Sequence, residues 1–375
     1  MPWTREKLEG DWIGGPIQAL GDRAPIALSA FDSVERHLGV QWIAARHLQG
    51  AGTGPTLGLI LLGECLSAIE TLRGFNVLVD KIRHGDVSAI SEMEAVRMFQ
   101  LIGNVEIELA PDLPVGAVTK KPDFRVRRPG ERWTYVEVTR PDTSEAAVSA
   151  QDLLGRLQSV VRVRRPFSME LFLRREPTTA EESSLLAAAI ELADSDRFET
   201  IDLPSLALII KMPFTGPMIS PLNHPGEDNN APRFGAASGI VGGDGTEPQR
   251  LVSVRMPFTD DRADAFLKRE AKQLSKDEQG FIMMDMASTH IGMQGWGQLL
   301  RRRLQPTVHT RVGGICLFTK ATEFGTDVPV LLFEYATIDN PHAAQPLPPW
   351  ILDELRRLAA ADNAKRASPR SPPKG

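Results

Sequence analysis

Residues 121–139, KPDFRVRRPGERWTYVEVT, restrict the fold of this chain more than any other stretch. Pro122–Arg127 and Trp133–Thr139 both alternate apolar and polar side chains with the period of a strand, and Pro129-Gly130-Glu131-Arg132 between them is turn chemistry. The pattern predicts a β-hairpin. Phe124, Val126, Val136 and Val138 fall on one face; Asp123, Arg125, Arg127, Tyr135, Glu137 and Thr139 fall on the other. Keeping like faces together sets Asp123 opposite Glu137 or Thr139, where Cβ atoms lie roughly 4.5–5.5 Å apart. Two carboxylates at that range repel unless a cation sits between them. A hard divalent ion with oxygen ligands suits the place.

Upstream, residues 89–101 have helical spacing, with Glu92 and Glu94 near the positive N-terminal end. Glu92 shares a face with Val96 and Phe99, at i+4 and i+7, so it is expected to project toward the sheet, with Glu94 as the second candidate. Gly103 stops the helix, and Val105–Leu109 reads as the first strand. An acidic helix, a strand opening on Pro-Asp and a further strand ending in (D/E)-x-Lys together resemble the PD-(D/E)xK nuclease superfamily. Pro122-Asp123 stands for the first part of the motif, and Glu137-Val138-Thr139 stands where the second should be.

The resemblance implies an α/β fold with a restriction-endonuclease-like core, a mixed central sheet flanked by helices. It also implies Mg²⁺ (or Mn²⁺) held by Asp123, Glu137 and the backbone carbonyl of Val138, with Glu92 binding a second ion or orienting the attacking water. Thr139 departs from the pattern, because a hydroxyl cannot offer the charge of an ammonium. Lys272, on a helix expected over 262–274 with Lys268 one turn earlier, is the expected replacement. That helix and the apolar strand 280–286 after it resemble the later part of the core. The expected function is a metal-dependent, endonuclease-like phosphodiesterase acting on nucleic acid, with Glu92, Asp123, Glu137 and Lys272 as the catalytic set.

Two other readings stand beside it. The chain could keep the nuclease fold without catalysis and bind nucleic acid or a protein partner. Alternatively the hairpin is ordinary, with Asp123 and Glu137 paired to arginines such as Arg125 and Arg140. The net charge of −5 sets up no global field for nucleic acid, so contact must come from local patches, for which Arg125, Arg127 and Arg140 are the candidates. Cys65 and Cys316 lie in apolar surroundings without metal spacing and read as reduced core residues of a cytoplasmic protein. No apolar run approaches the roughly 20 residues that span a bilayer, so no membrane partner is expected. The seven histidines lack i,i+4 spacing, and nucleophile-elbow, Walker and Rossmann signatures are absent.

Residues 1–85 read as an N-terminal helical region, with helices over 26–49 and 57–82 and an interruption near Gly74 and Asn76. Residues 86–340 read as the nuclease-like core, carrying a Pro/Gly-rich insertion at 215–249. Within it, Thr179 and Glu182 are expected to form a capping box. Residues 341–375 read as a C-terminal helix, 350–361, and a disordered tail.

Overall fold

The computed structural model describes residues 24–47, 53–141, 145–160, 166–175, 177–214, 233–240, 250–257, 261–288, 293–323 and 330–367. They divide into two compact units. The first takes in the chain up to Pro141, Ala263–Ala287 and the stretch from Gly297 onward; the second holds Asp142–Arg262 and Ser288–Trp296. Residues 86–340, expected as one core, are therefore shared between two units, each built on its own sheet.

The first unit opens with helices α1 (Ala24–Leu38), α2 (Val40–His47), α3 (Thr53–Ile69), α4 (Phe75–Arg83) and α5 (Ser88–Ile102). In α4, Phe75, Leu78, Val79 and Ile82 recur at i, i+3, i+4 and i+7 and are all buried, leaving Lys81 beside that stripe and partly exposed. The interruption falls at Gly74, as expected. Its φ is 93°, and a Cβ there would lie 2.6 Å from the Leu109 carbonyl oxygen, so only glycine lets α4 start against that segment.

Five strands follow: β1 (Glu106–Leu109), β2 (Leu113–Val115), β3 (Val118–Lys120), β4 (Phe124–Arg127) and β5 (Thr134–Thr139). Strands β2 and β3 make a small ladder of their own, while β1, β4 and β5 are successive antiparallel neighbours. The hairpin forms with Phe124 opposite Val136 and Val126 opposite Thr134. One step further along that register, Asp123 meets Glu137. Phe124, Val126 and Val136 are fully buried, as their period requires. Tyr135, Glu137 and Thr139, expected on a polar face, are buried as well. Alternation separates the two faces of a strand but does not tell that both are covered.

After β5 the chain builds the second unit from α6 (Glu145–Val160), β6 (Phe167–Leu173), α7 (Thr179–Asp194), β7 (Thr200–Leu203), β8 (Ala207–Pro213), β9 (Arg233–Ile240) and β10 (Arg250–Pro257). The sheet order is β7-β8-β6-β10-β9, with β6 and β10 parallel and the other pairs antiparallel. Strand β6 is buried at every position, as a central strand should be. The capping box sits one residue earlier than expected. Thr178, extended at ψ 162°, accepts from the Glu181 N–H, while the Glu181 carboxylate accepts from the Thr178 N–H. At the other end of α7, Lys211 Nζ donates to the carbonyls of Leu192 and Ala193 at 2.9 Å each, satisfying groups that the helix leaves open. Strand β9 takes up part of the insertion expected at 215–249; its run of Gly, Ala and Ser carries no apolar period to reveal it. The rest of that insertion lies outside the described residues.

The chain then returns through α8 (Asp261–Ala271), β11 (Gln279–Asp285), α9 (Met293–Arg303), β12 (Gly314–Glu323), β13 (Val330–Asp339) and α10 (Pro349–Ala367). Strand β11 runs parallel to both β5 and β12, giving a six-stranded mixed sheet ordered β1-β4-β5-β11-β12-β13. Phe124, Val136, Phe281 and Phe318 on the sheet share one buried cluster with Leu66 of α3, Phe99 of α5 and Ile351 of α10. Phe99 meets Phe124, Phe281 and Trp350 edge-on, at 5.7, 6.3 and 6.5 Å between ring centres. The N-terminal helices thus belong to the core of the sheet and are not a separate region. Helix α10 continues to Ala367, beyond the expected 361, and the residues after it lie outside the described part. Cys65 and Cys316 are buried free thiols. Among the described residues no helix is long and apolar enough to cross a membrane.

Candidate functional site

Three acids chosen from the sequence come together at the open end of the hairpin. Asp123 Oδ2 accepts a 2.7 Å bond from the Val138 N–H, which sets its carboxylate beside Glu137 and Val138 on β5. Glu92 arrives from α5, and its charge acts on both Asp123 and Glu137. Two neighbours clamp that helix: Ser91 Oγ donates to Asp285 Oδ2 at 2.6 Å, and Lys320 donates to Glu94. Glu94 is therefore turned away from Asp123, and Glu92 is the acid of α5 that stands beside it. Glu137 is 5% exposed, and its Oε1 has no hydrogen-bond partner.

The cation among these acids is Lys81. Its Nζ donates to the two oxygens of Glu92 at 2.9 and 3.0 Å and lies 3.7 Å from Asp123 Oδ1. A small cleft lined by Gly74, Val77, Lys81, Glu92, Ala110 and Asp123 opens here. It encloses about 10 Å³, on the order of a single water or ion.

Burial first, then the charge of Glu92, pushes the Asp123 carboxyl well above its usual range; the Val138 N–H and Lys81 pull the other way and do not cancel it. Glu137 is pushed up to about 10, by burial and then by Asp123, Glu270 and Glu92. Burial works against the charge of Lys81, but Glu92 and Asp123 outweigh it and hold the ammonium above its ordinary value. With every group ionised, three carboxylates face one ammonium, leaving two negative charges. Two protons or one divalent cation would neutralise them.

Among the described residues no three His, Cys, Asp or Glu side chains stand ready as a metal cage. The donors are nonetheless of the right kind for a hard cation, since all are carboxylate oxygens and Glu137 Oε1 is buried without a partner. Asp123 and Glu137 are the side chains that would hold such an ion, because Glu92 is already engaged by Lys81.

No protein-family model, curated protein or solved structure matches the chain. What the site contains is therefore read from its own residues. The hydroxyl of Thr139 accepts a 2.8 Å bond from Arg269 Nη2. Arg269 lies in the last turn of α8 and also bonds Glu270 at 2.6 Å. Lys272, the replacement expected from the sequence, lies past the end of α8 and is exposed. The positive charge beside Thr139 belongs to Arg269. Lys268 is paired with Asp264 at 2.6 Å.

The arginines expected to meet nucleic acid are occupied within the sheet. Arg125 bonds Glu108 at 2.9 Å and Arg127 bonds Glu106 at 2.7 Å, each directly across from its partner on β1. Their guanidinium groups also lie 4.3 and 4.2 Å from the centre of the Trp133 ring. Arg140 lies 3.9 Å from Asp285. The salt-bridged strand face of the ordinary reading is thus real for Arg125 and Arg127, but their partners are Glu106 and Glu108, not Asp123 or Glu137. Lys81 has no local signal for this contact in the sequence, because nothing links a lysine late in α4 to a carboxylate beyond a further helix and three strands. Its one sequence signal is its place beside the buried stripe of that helix.

Proposed function

We propose that this chain is a divalent-metal-dependent phosphodiesterase of the PD-(D/E)xK type, acting on nucleic acid through a restriction-endonuclease-like core. One observation carries the reading: the three acids Glu92, Asp123 and Glu137 converge beside the ammonium of Lys81, and Glu137 Oε1 is buried without a hydrogen-bond partner. The order of elements supports it. Helix α5 is followed by the antiparallel strands β1, β4 and β5, and later by α8 and the strand β11, with the second unit inserted between.

When bound, the ion supplies the positive charge that polarises a phosphate and acidifies a water. Asp123, Glu137 and the Val138 carbonyl would hold it, and Glu92 would orient the attacking water. Burial and the neighbouring acids hold the Glu137 carboxyl protonated at neutral pH, and a cation bound there would displace that proton. Arg269 offers, beside Thr139, the charge that the missing lysine would bring.

The test is turnover of single- and double-stranded DNA and RNA with Mg²⁺ or Mn²⁺, against an EDTA control. Cleavage dependent on the metal is expected; a folded protein that cleaves none of these substrates under any of these conditions would refute the proposal. Arg269→Ala is expected to slow cleavage by roughly 10²-fold, the scale of losing one charge-stabilising donor, while calorimetric metal affinity stays at the wild-type value.

A second reading has its own support. Lys81 already bridges Glu92 and Asp123, which suits a noncatalytic module of the same fold that binds nucleic acid or a protein. Binding of labelled DNA or RNA with no turnover would select it.

A further inference from the structure

We propose that Lys81 is a resident cation that competes with the divalent metal for the Asp123 carboxylate, and so sets the metal concentration at which the site fills. The inference rests on the metal-site reading above and adds a control to it. The ammonium stands within 3.0 Å of both Glu92 oxygens and 3.7 Å from Asp123, in a cleft that encloses the space of one small ion. A divalent ion on Asp123 would lie within a few ångströms of that ammonium and be repelled by it, so metal binding there favours withdrawal of the lysine head.

The structure provides for this withdrawal. Phe75, Leu78, Val79 and Ile82 bury the inner face of α4, and Gly74 seats its first turn against Leu109, so the helix is fixed. Lys81 itself is 38% exposed on a flexible four-carbon stem, and its head can swing to solvent while the backbone stays in place. The lysine-in arrangement lowers the apparent metal affinity in proportion to its population. It also offsets the repulsion between Glu92 and Asp123 in the metal-free protein.

The proposal separates Lys81 from Arg269. One stands beside Asp123, which would hold the metal, and the other stands beside Thr139.

The experiment is calorimetric titration of Mn²⁺, and then Mg²⁺, into the metal-stripped full chain as wild type, Lys81→Met and Lys81→Arg. Lys81→Met is expected to bind about 10- to 100-fold tighter, a usual range for coupled sites, whereas Lys81→Arg keeps the charge and stays within a few-fold of wild type. Lys81→Gln replaces the methionine variant should that one fail to fold. Metal binding by wild type with equal or weaker binding by the neutral variants overturns the competition and leaves the metal site standing. Failure of wild type and neutral variants alike to bind either ion overturns the metal site, and this inference with it.

Discussion

Glu137→Gln is expected to abolish metal-dependent cleavage and, in the absence of metal, to melt at a higher temperature than wild type. Asp123→Asn should lose cleavage equally, since either change removes one of the two side chains proposed to hold the ion. The gain in stability follows from the buried carboxyl. Glu137 has an ordinary value of 4.5 and is pushed up to about 10 in the folded protein. Between those values the unfolded chain has released its proton and the folded one has not, so stability falls as pH rises through that window. Glutamine has no proton to lose, and its amide donates to neighbouring carboxylates. Melting curves in EDTA at pH 5.5 and pH 8.5 should show the gap between variant and wild type widening with pH. A gap that stays constant would sink the argument about the buried carboxyl, and an active variant would sink the site.

Phe99→Ala is expected to cost about 3–5 kcal/mol, the range for removing a fully buried aromatic ring. Phe99 is completely buried and touches rings on β4, β11 and α10, three elements far apart in the sequence. Local collapse cannot refill a space bordered by two strands of one sheet and a helix packed on them. Because α5 also carries Glu92, the same change should weaken cleavage more than it lowers the folded fraction. A shift in urea midpoint corresponding to less than about 1 kcal/mol would mean that the cluster repacks.

The two results draw partly on features that are plain in the sequence and partly on ones that are not. The hairpin, its apolar face and the choice of Glu92 all follow from period two, period 3.6 and one turn, which are local rules. The burial of Tyr135, Glu137 and Thr139 was not legible. It depends on β11 pairing along β5 and on α8 reaching Thr139, and both come from beyond the second unit. Lys81 was hidden for a related reason, since its meaning lies in a tertiary contact with Asp123 that no spacing encodes. Arg269 displaced Lys272 because α8 ends at Ala271, leaving the lysine past the last turn. The second unit does not stand out in the sequence as a unit of its own, and β9 carries no signal because its small residues have no apolar period.

The place where the second unit interrupts the first has a consequence for synthesis. Strand β5 leaves the ribosome with β4 on one edge and nothing on the other, because β11 is encoded only after the whole inserted unit. At about 5–20 residues per second, that edge waits roughly 7–30 s between Thr139 and Asp285. The inserted sheet draws its strands from a continuous run, β6 to β10, and can close on itself in the meantime. Nascent chains halted between Pro257 and Gln279 should then hold a finished inserted sheet beside a hairpin whose outer edge is still open to other chains.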